Sequence, residues 1–204
     1  MYNYRILDIN HNYNFERFSE DIETMLDINQ QEIIIFLNKN KIQKLDYEKI
    51  KENYNTFVEL LKNTDIIYLV NFMDNCDNIQ PIRKENGYTF YYSKSPNGFY
   101  GVVSTRRKWK KVLSFMKNQE EKDISSKLNI LVSKGVISAV SSMPRIFDLD
   151  IMKLDTDLRK FVSPCRNDLG LDSKFEEMHS LSYNYFLISF AIFIFWMFYF
   201  FFQK

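Results

Sequence analysis

The sequence predicts a helix-rich α+β domain with a small antiparallel sheet, followed by one C-terminal transmembrane helix. Three observations carry this. Residues 46–62 place Tyr47, Ile50, Tyr54, Phe57 and Leu61 at helical spacing. YTFYYSK and FYGVVST flank Ser95-Pro96-Asn97-Gly98, a turn signal between two strand-like runs. From Tyr185 to Phe202 the chain carries no charge and no proline.

The elements follow in order. Residues 2–9 alternate Tyr2, Tyr4 and Ile6, as a strand does. Residues 15–28 put Phe15, Phe18, Ile22 and Met25 on one helical face, with Asn14 placed to cap it. EIIIFLN at 32–38 fits a buried strand or a short helix, and Asn38-Lys39-Asn40-Lys41 is a turn. Asp46 is a good N-cap for the helix over 46–62. DIIYLVNFMDN at 65–75 is β-branched enough for a strand and long enough for a helix, and 75–87, with Pro81, reads as a loop. After the hairpin of 88–105 come three helical segments. Residues 106–119 share a face of Trp109, Val112, Leu113 and Met116; 123–142 are interrupted by Gly135; and 147–162 repeat Phe147, Ile151, Leu154, Leu158 and Phe161 between Pro144 and Pro164. The organisation expected is a soluble domain over 1–162, a polar tether over 163–183 and a span over 184–202.

The apolar run fixes the expected location. As a helix it extends about 27 Å, at the short end of what a hydrocarbon core of about 30 Å requires. A core helix is rarely apolar on every face, and Tyr183, Tyr185, Trp196 and Tyr199 suit the interfaces. MYNYRILDINHNYNFERF lacks a basic region followed by an apolar run, so it is no secretory signal. The expectation is a tail-anchored, single-pass protein with its domain facing the cytosol. With one basic residue, Lys204, after a very hydrophobic span, the endoplasmic reticulum or a viral membrane is expected over the mitochondrial outer membrane. No Asn-x-Ser/Thr acceptor occurs, and Cys76 and Cys165 lie far apart, which suits a reducing, unglycosylated face. Abundant Phe, Tyr, Asn, Ile and Lys with scarce Ala is the mix of an AT-rich genome, as in many parasites and large DNA viruses.

Chemistry-bearing motifs are few. Lys plus Arg (27) nearly equals Asp plus Glu (26), so a general nucleic-acid binder, which needs a positive excess, is not expected. The basic run Arg106, Arg107, Lys108, Lys110 and Lys111 opens a helix, where anions and not cations are favoured. It reads as a patch for anionic lipid or an acidic partner, or as a solvated face paired with Glu120, Glu121 and Asp123. His11 and His179 are the only histidines, neither near a cysteine in sequence, so no catalytic, metal or cofactor site is assigned. Asp148, Asp150, Asp155 and Asp157 lack the glycine and closing glutamate of a calcium loop.

Residues 88–117, YTFYYSKSPNGFYGVVSTRRKWKKVLSFMK, resemble the central hairpin and following helix of longin domains, which front some tail-anchored vesicle-fusion SNARE proteins. The resemblance implies a five-stranded sheet against helices and a trafficking adaptor. A SNARE also needs one unbroken heptad helix before the membrane, and Pro144, Pro164 and Gly170 interrupt that region. Viral apoptosis inhibitors of the Bcl-2 type share the plan of domain plus tail, in an all-helical form. The function expected is therefore a membrane-tethered module binding an unidentified protein partner. A trafficking adaptor, a death suppressor and a membrane-bound enzyme whose site forms only in three dimensions are the alternatives.

Overall fold

Runs of four or five apolar residues that do not alternate with polar ones suit strands covered on both faces. Two such runs, at 33–37 and 66–70, lie in the middle of this fold. A computed structural model describes residues 2–9, 13–24, 32–70, 81–96 and 98–150. The chain divides into two units, Met1–Cys165 and Arg166–Lys204, and the architecture below belongs to the first.

The elements are β1 (Tyr4–Asp8), α1 (Phe15–Thr24), β2 (Ile33–Leu37), α2 (Tyr47–Glu52), α3 (Tyr54–Asn63), β3 (Ile66–Val70), β4 (Pro81–Glu85), β5 (Tyr88–Ser93), β6 (Gly101–Thr105), α4 (Arg106–Met116), α5 (Ile124–Ser133) and β7 (Ala139–Met143). The strands make one mixed sheet in the order β1-β2-β6-β3-β7-β5-β4. β1 lies parallel to β2, and β3 to β7; every other pairing is antiparallel.

β2, β3 and β6 are buried at every residue. Their side chains alternate between two cores. Ile34, Phe36, Ile66, Tyr68 and Val102 meet α1, α4 and α5 through Phe18, Trp109, Val112 and Leu128. Ile33, Ile35, Leu37, Ile67 and Val103 meet α2 and α3 through Ile50, Phe57 and Leu61. The first core centres on Trp109, edge-on to Phe36 and Phe18 at 5.1 and 5.6 Å, with its indole N–H donating to the Ile34 carbonyl at 3.2 Å.

The expected caps are in place. Asn14 Oδ1 accepts from the Arg17 amide at 3.0 Å, and Asp46 Oδ1 accepts from Glu48 at 3.1 Å. The helix expected over 46–62 is two, α2 and α3, divided at the buried Asn53. Asn53 Nδ2 donates to the Lys49 carbonyl at 2.9 Å, and such side-chain bonding to the backbone competes with helix continuation.

Besides the loop read over 75–87, in which Pro81–Glu85 form β4, three expectations are corrected. The sheet is neither small nor purely antiparallel. The hairpin expected over 88–105 does not exist: β7 and β3 separate β5 from β6, and the two run in the same direction. The true hairpin is β4–β5, closed by Asn86-Gly87 with φ of 51° and 81°, the signs a type I′ turn requires. β6 instead takes a central place, between β2 and β3, where all five of its residues are buried. Third, 123–142 is not one interrupted helix. α5 stops at Gly135, whose amide donates to the Val132 carbonyl while Val136 donates to Leu131, both at 2.9 Å. That pair is a Schellman cap, a full stop and not a kink, and Ala139–Met143 goes on as strand β7. Of the helix expected over 147–162, residues 147–150 are non-helical, Leu149 bridging Ile42, and the rest lies outside the described residues. The tether over 163–183 and the span over 184–202 also lie outside them.

Candidate functional site

β6 passes into α4 without a loop. Thr105 ends the strand and caps the helix, its Oγ1 accepting from the Lys108 amide at 3.3 Å. The basic run therefore starts at the rim of the sheet, beside the first residues of β2 and β3 and the last of α3. A helical turn fans consecutive side chains around the axis, so the five cations do not share one surface.

Lys108 turns toward α3. Its Nζ donates to the Leu61 and Thr64 carbonyls, the latter at 2.6 Å, satisfying groups that a helix C-terminus leaves open. Burial lowers the Lys108 pKa from the usual lysine range, opposed by the nearby Asp65. Lys111 reaches Asp65, Nζ to Oδ1 at 2.8 Å. The other oxygen, Oδ2, accepts from the Ser138 amide at 2.9 Å and from its hydroxyl at 3.1 Å. Ser104 Oγ donates to the Asp65 carbonyl. Burial alone raises the Asp65 pKa, but the donors outweigh it: Lys111, the Ser138 amide and the Ser138 hydroxyl hold the carboxyl below its usual range. Asp65, Ser104, Lys111 and Ser138 thus tie the N-terminal ends of β3 and β7 to the β6–α4 junction.

Arg107 and Lys110 face outward and are exposed. Lys110 also lines an open groove of about 470 Å³ with Glu23, Leu113, Ser114 and Lys117, where Lys117 is ion-paired to Glu23. Arg106 is the outlier. It is 5% exposed, and its Nε and Nη2 have no hydrogen-bond partner among the described residues, though its amide donates to the Glu32 carbonyl at 3.0 Å.

The expected basic patch is thus distributed. Arg106 is buried, Lys108 and Lys111 are engaged within the fold, and Arg107 and Lys110 face solvent. The acids offered as its partners lie elsewhere: Glu120 and Glu121 are exposed, and Asp123 caps α5 through the Ser126 amide at 2.8 Å. Asp65 and Ser138 carried no sequence signal, because their partners are remote in the chain. His11, His179, Cys76, Cys165, Asp155 and Asp157 lie outside the described residues. Among the described residues no group of three or more His, Cys, Asp or Glu is arranged to hold a metal ion, and no helix is long and apolar enough to cross a membrane. No protein-family model matches the chain, and no curated protein matches it.

Proposed function

We propose that this chain is a single-pass membrane protein whose domain over 1–162 works at the cytosolic surface of the bilayer as an interaction or tethering module. The observation that carries the reading is the uncharged, proline-free run Tyr185–Phe202, with aromatic residues at both ends. The absence of Asn-x-Ser/Thr acceptors supports the cytosolic face. The membrane proposed is the endoplasmic reticulum or a viral envelope derived from it, whose thinner bilayer suits a short span. Tethering confines the domain to a surface and raises its effective concentration for partners there. The two outward cations, Arg107 and Lys110, supply a small positive face for such contacts. The seven-stranded mixed sheet differs from the all-helical form a death suppressor needs, and the hairpin on which the longin resemblance rested is absent.

The test is alkaline carbonate extraction with protease protection, on the full-length protein and on a version ending at Ser182. Full-length protein held in the membrane pellet with its domain open to protease, beside a soluble shortened form, supports the proposal. Full-length protein that extracts freely removes it.

A further inference from the structure

A guanidinium withdrawn from water needs an anion or several acceptors, because burial of an unpaired charge is costly. Among the described residues Nε and Nη2 of Arg106 find neither. Its two unpartnered atoms, Nε and Nη2, form one edge of the planar group. That edge offers the parallel donors that grip a phosphate or carboxylate in bidentate fashion. The described carboxylates at this end of the sheet are already held: Glu32 faces Arg5 at 3.7 Å, and Asp65 is taken by Lys111 and Ser138.

The surroundings favour an anion independently. Arg106 is the first residue of α4, a helix of 11 residues, and although the Arg106 and Lys108 amides are taken by the Glu32 carbonyl and Thr105 Oγ1, the helix dipole at this end still favours negative charge. Arg106 belongs to the buried face of α4, with Trp109 and Leu113. Lys110 lies one turn further along and lines the groove between α1 and α4. Within the groove Lys117 is paired with Glu23, which leaves Lys110 as the cation nearer in sequence to Arg106. A run of cations at a helix N-terminus, unfavourable alone, becomes favourable once an anion sits among them.

We propose that the β6–α4 junction is a phosphate site, with the Nε/Nη2 edge of Arg106 as its bidentate anchor and Arg107 and Lys110 as outer cations. The phosphate belongs to a lipid headgroup or to a soluble phosphate compound. The site does not depend on the chain being membrane-tethered.

The experiment is thermal unfolding of the full-length protein in neutral detergent, with inorganic phosphate titrated against chloride at constant ionic strength. Phosphate should raise Tm by several degrees with saturation, and chloride should not. Arg106→Lys, which keeps the charge and loses the fork, should weaken the response at least tenfold. The exposed pair Arg107→Gln with Lys110→Gln should weaken it about threefold. A response that never saturates, or one that Arg106→Lys leaves intact, overturns the proposal. Should Arg106→Lys fail to fold, the Nε–H resonance of Arg106 in the unaltered protein decides. It must shift in step with added phosphate, and a fixed resonance overturns the site. Reconstitution then separates the sources. If vesicles containing phosphatidic acid abolish the response to free phosphate while phosphatidylcholine vesicles keep it, the ligand is a headgroup. An undiminished response in both assigns the site to soluble phosphates.

Discussion

Lys108, Lys111 and Lys127 each use an amine to complete a different element. Lys127, 4% exposed, donates to the Met116 and Gln119 carbonyls at 2.9 and 2.5 Å beyond the end of α4, and sits 4.5 Å from the centre of the Phe15 ring. Lys108 does the same for α3. Lys111 differs, because its partner Asp65 titrates. The Asp65 pKa is depressed in the folded chain, so its contribution to stability is complete above the ordinary aspartate range, near pH 4, and is lost as pH falls through the folded value. Asp65→Asn keeps the shape and removes the charge. It should cost roughly 1–2 kcal/mol at pH 7, a figure reduced because the Lys111 side chain is half exposed. Urea unfolding at pH 7 and pH 3 checks this. The native protein and the variant should draw together at the acid end; a gap of equal size at both pH values would show that the carboxylate charge is not what stabilises this junction.

At the scale of elements, the connection from β5 to β6 is the most constrained. Ser93 pairs with Ala139 at one end of the sheet and Gly101 with Val70 at the other, so residues 94–100 must cross two strands and run the length of a strand. Three strand spacings and one five-residue strand make a diagonal of about 22 Å, close to the roughly 27 Å that residues 94–100 can span. The crossing leaves Pro96, Gly98 and Phe99 buried, and the Gly98 amide donates to Ser125 Oγ at 2.8 Å. Gly98 has φ of 96°, and a Cβ there would lie 2.2 Å from the Tyr100 ring. Gly87, at φ of 81°, has open space around it. Gly98→Ala should therefore cost about 2–3 kcal/mol and Gly87→Ala about 1 kcal/mol. Equal losses in denaturant midpoints would mean that the crossing is slack. This element also marks where the sequence was readable. The Asn-Gly taken as the hairpin turn, at 97–98, was the wrong one: the chain has two such pairs, and only Asn86-Gly87, within a stretch read as loop, joins adjacent strands. Caps at Asn14 and Asp46 were legible because their partners lie two or three residues away. Strand order was not, since the apolar runs of β2 and β3 fit any central place. Nor was the fate of the basic run, because Lys111 finds Asp65 46 residues away and Asp65 finds Ser138 73 residues away.

For the described domain as a whole, the alternation of side chains along β2, β3 and β6 makes its two cores one cooperative body. Phe36 points into one core while Ile35 and Leu37 point into the other, so neither core can open without disturbing a shared strand. β6 is held on both sides, by β2 and β3, and is buried throughout. β4 is the opposite case. It pairs with β5 alone, begins at Pro81, which has no amide hydrogen to donate, and is partly or fully exposed along its length, with Ile82 37% exposed. Opening β4 exposes little apolar surface, whereas opening β6 breaks two ladders and both cores. Local stability follows the amount of buried contact that an opening destroys. Amide hydrogen exchange should accordingly find the slowest protons in β6 and β3, at the free energy of global unfolding, and the fastest strand protons in β4. β1, the other edge, pairs only with β2 and should exchange ahead of the centre. If β4 is instead as protected as β6, the edge is covered by something other than the described residues, and the sheet's stability is not graded from centre to rim.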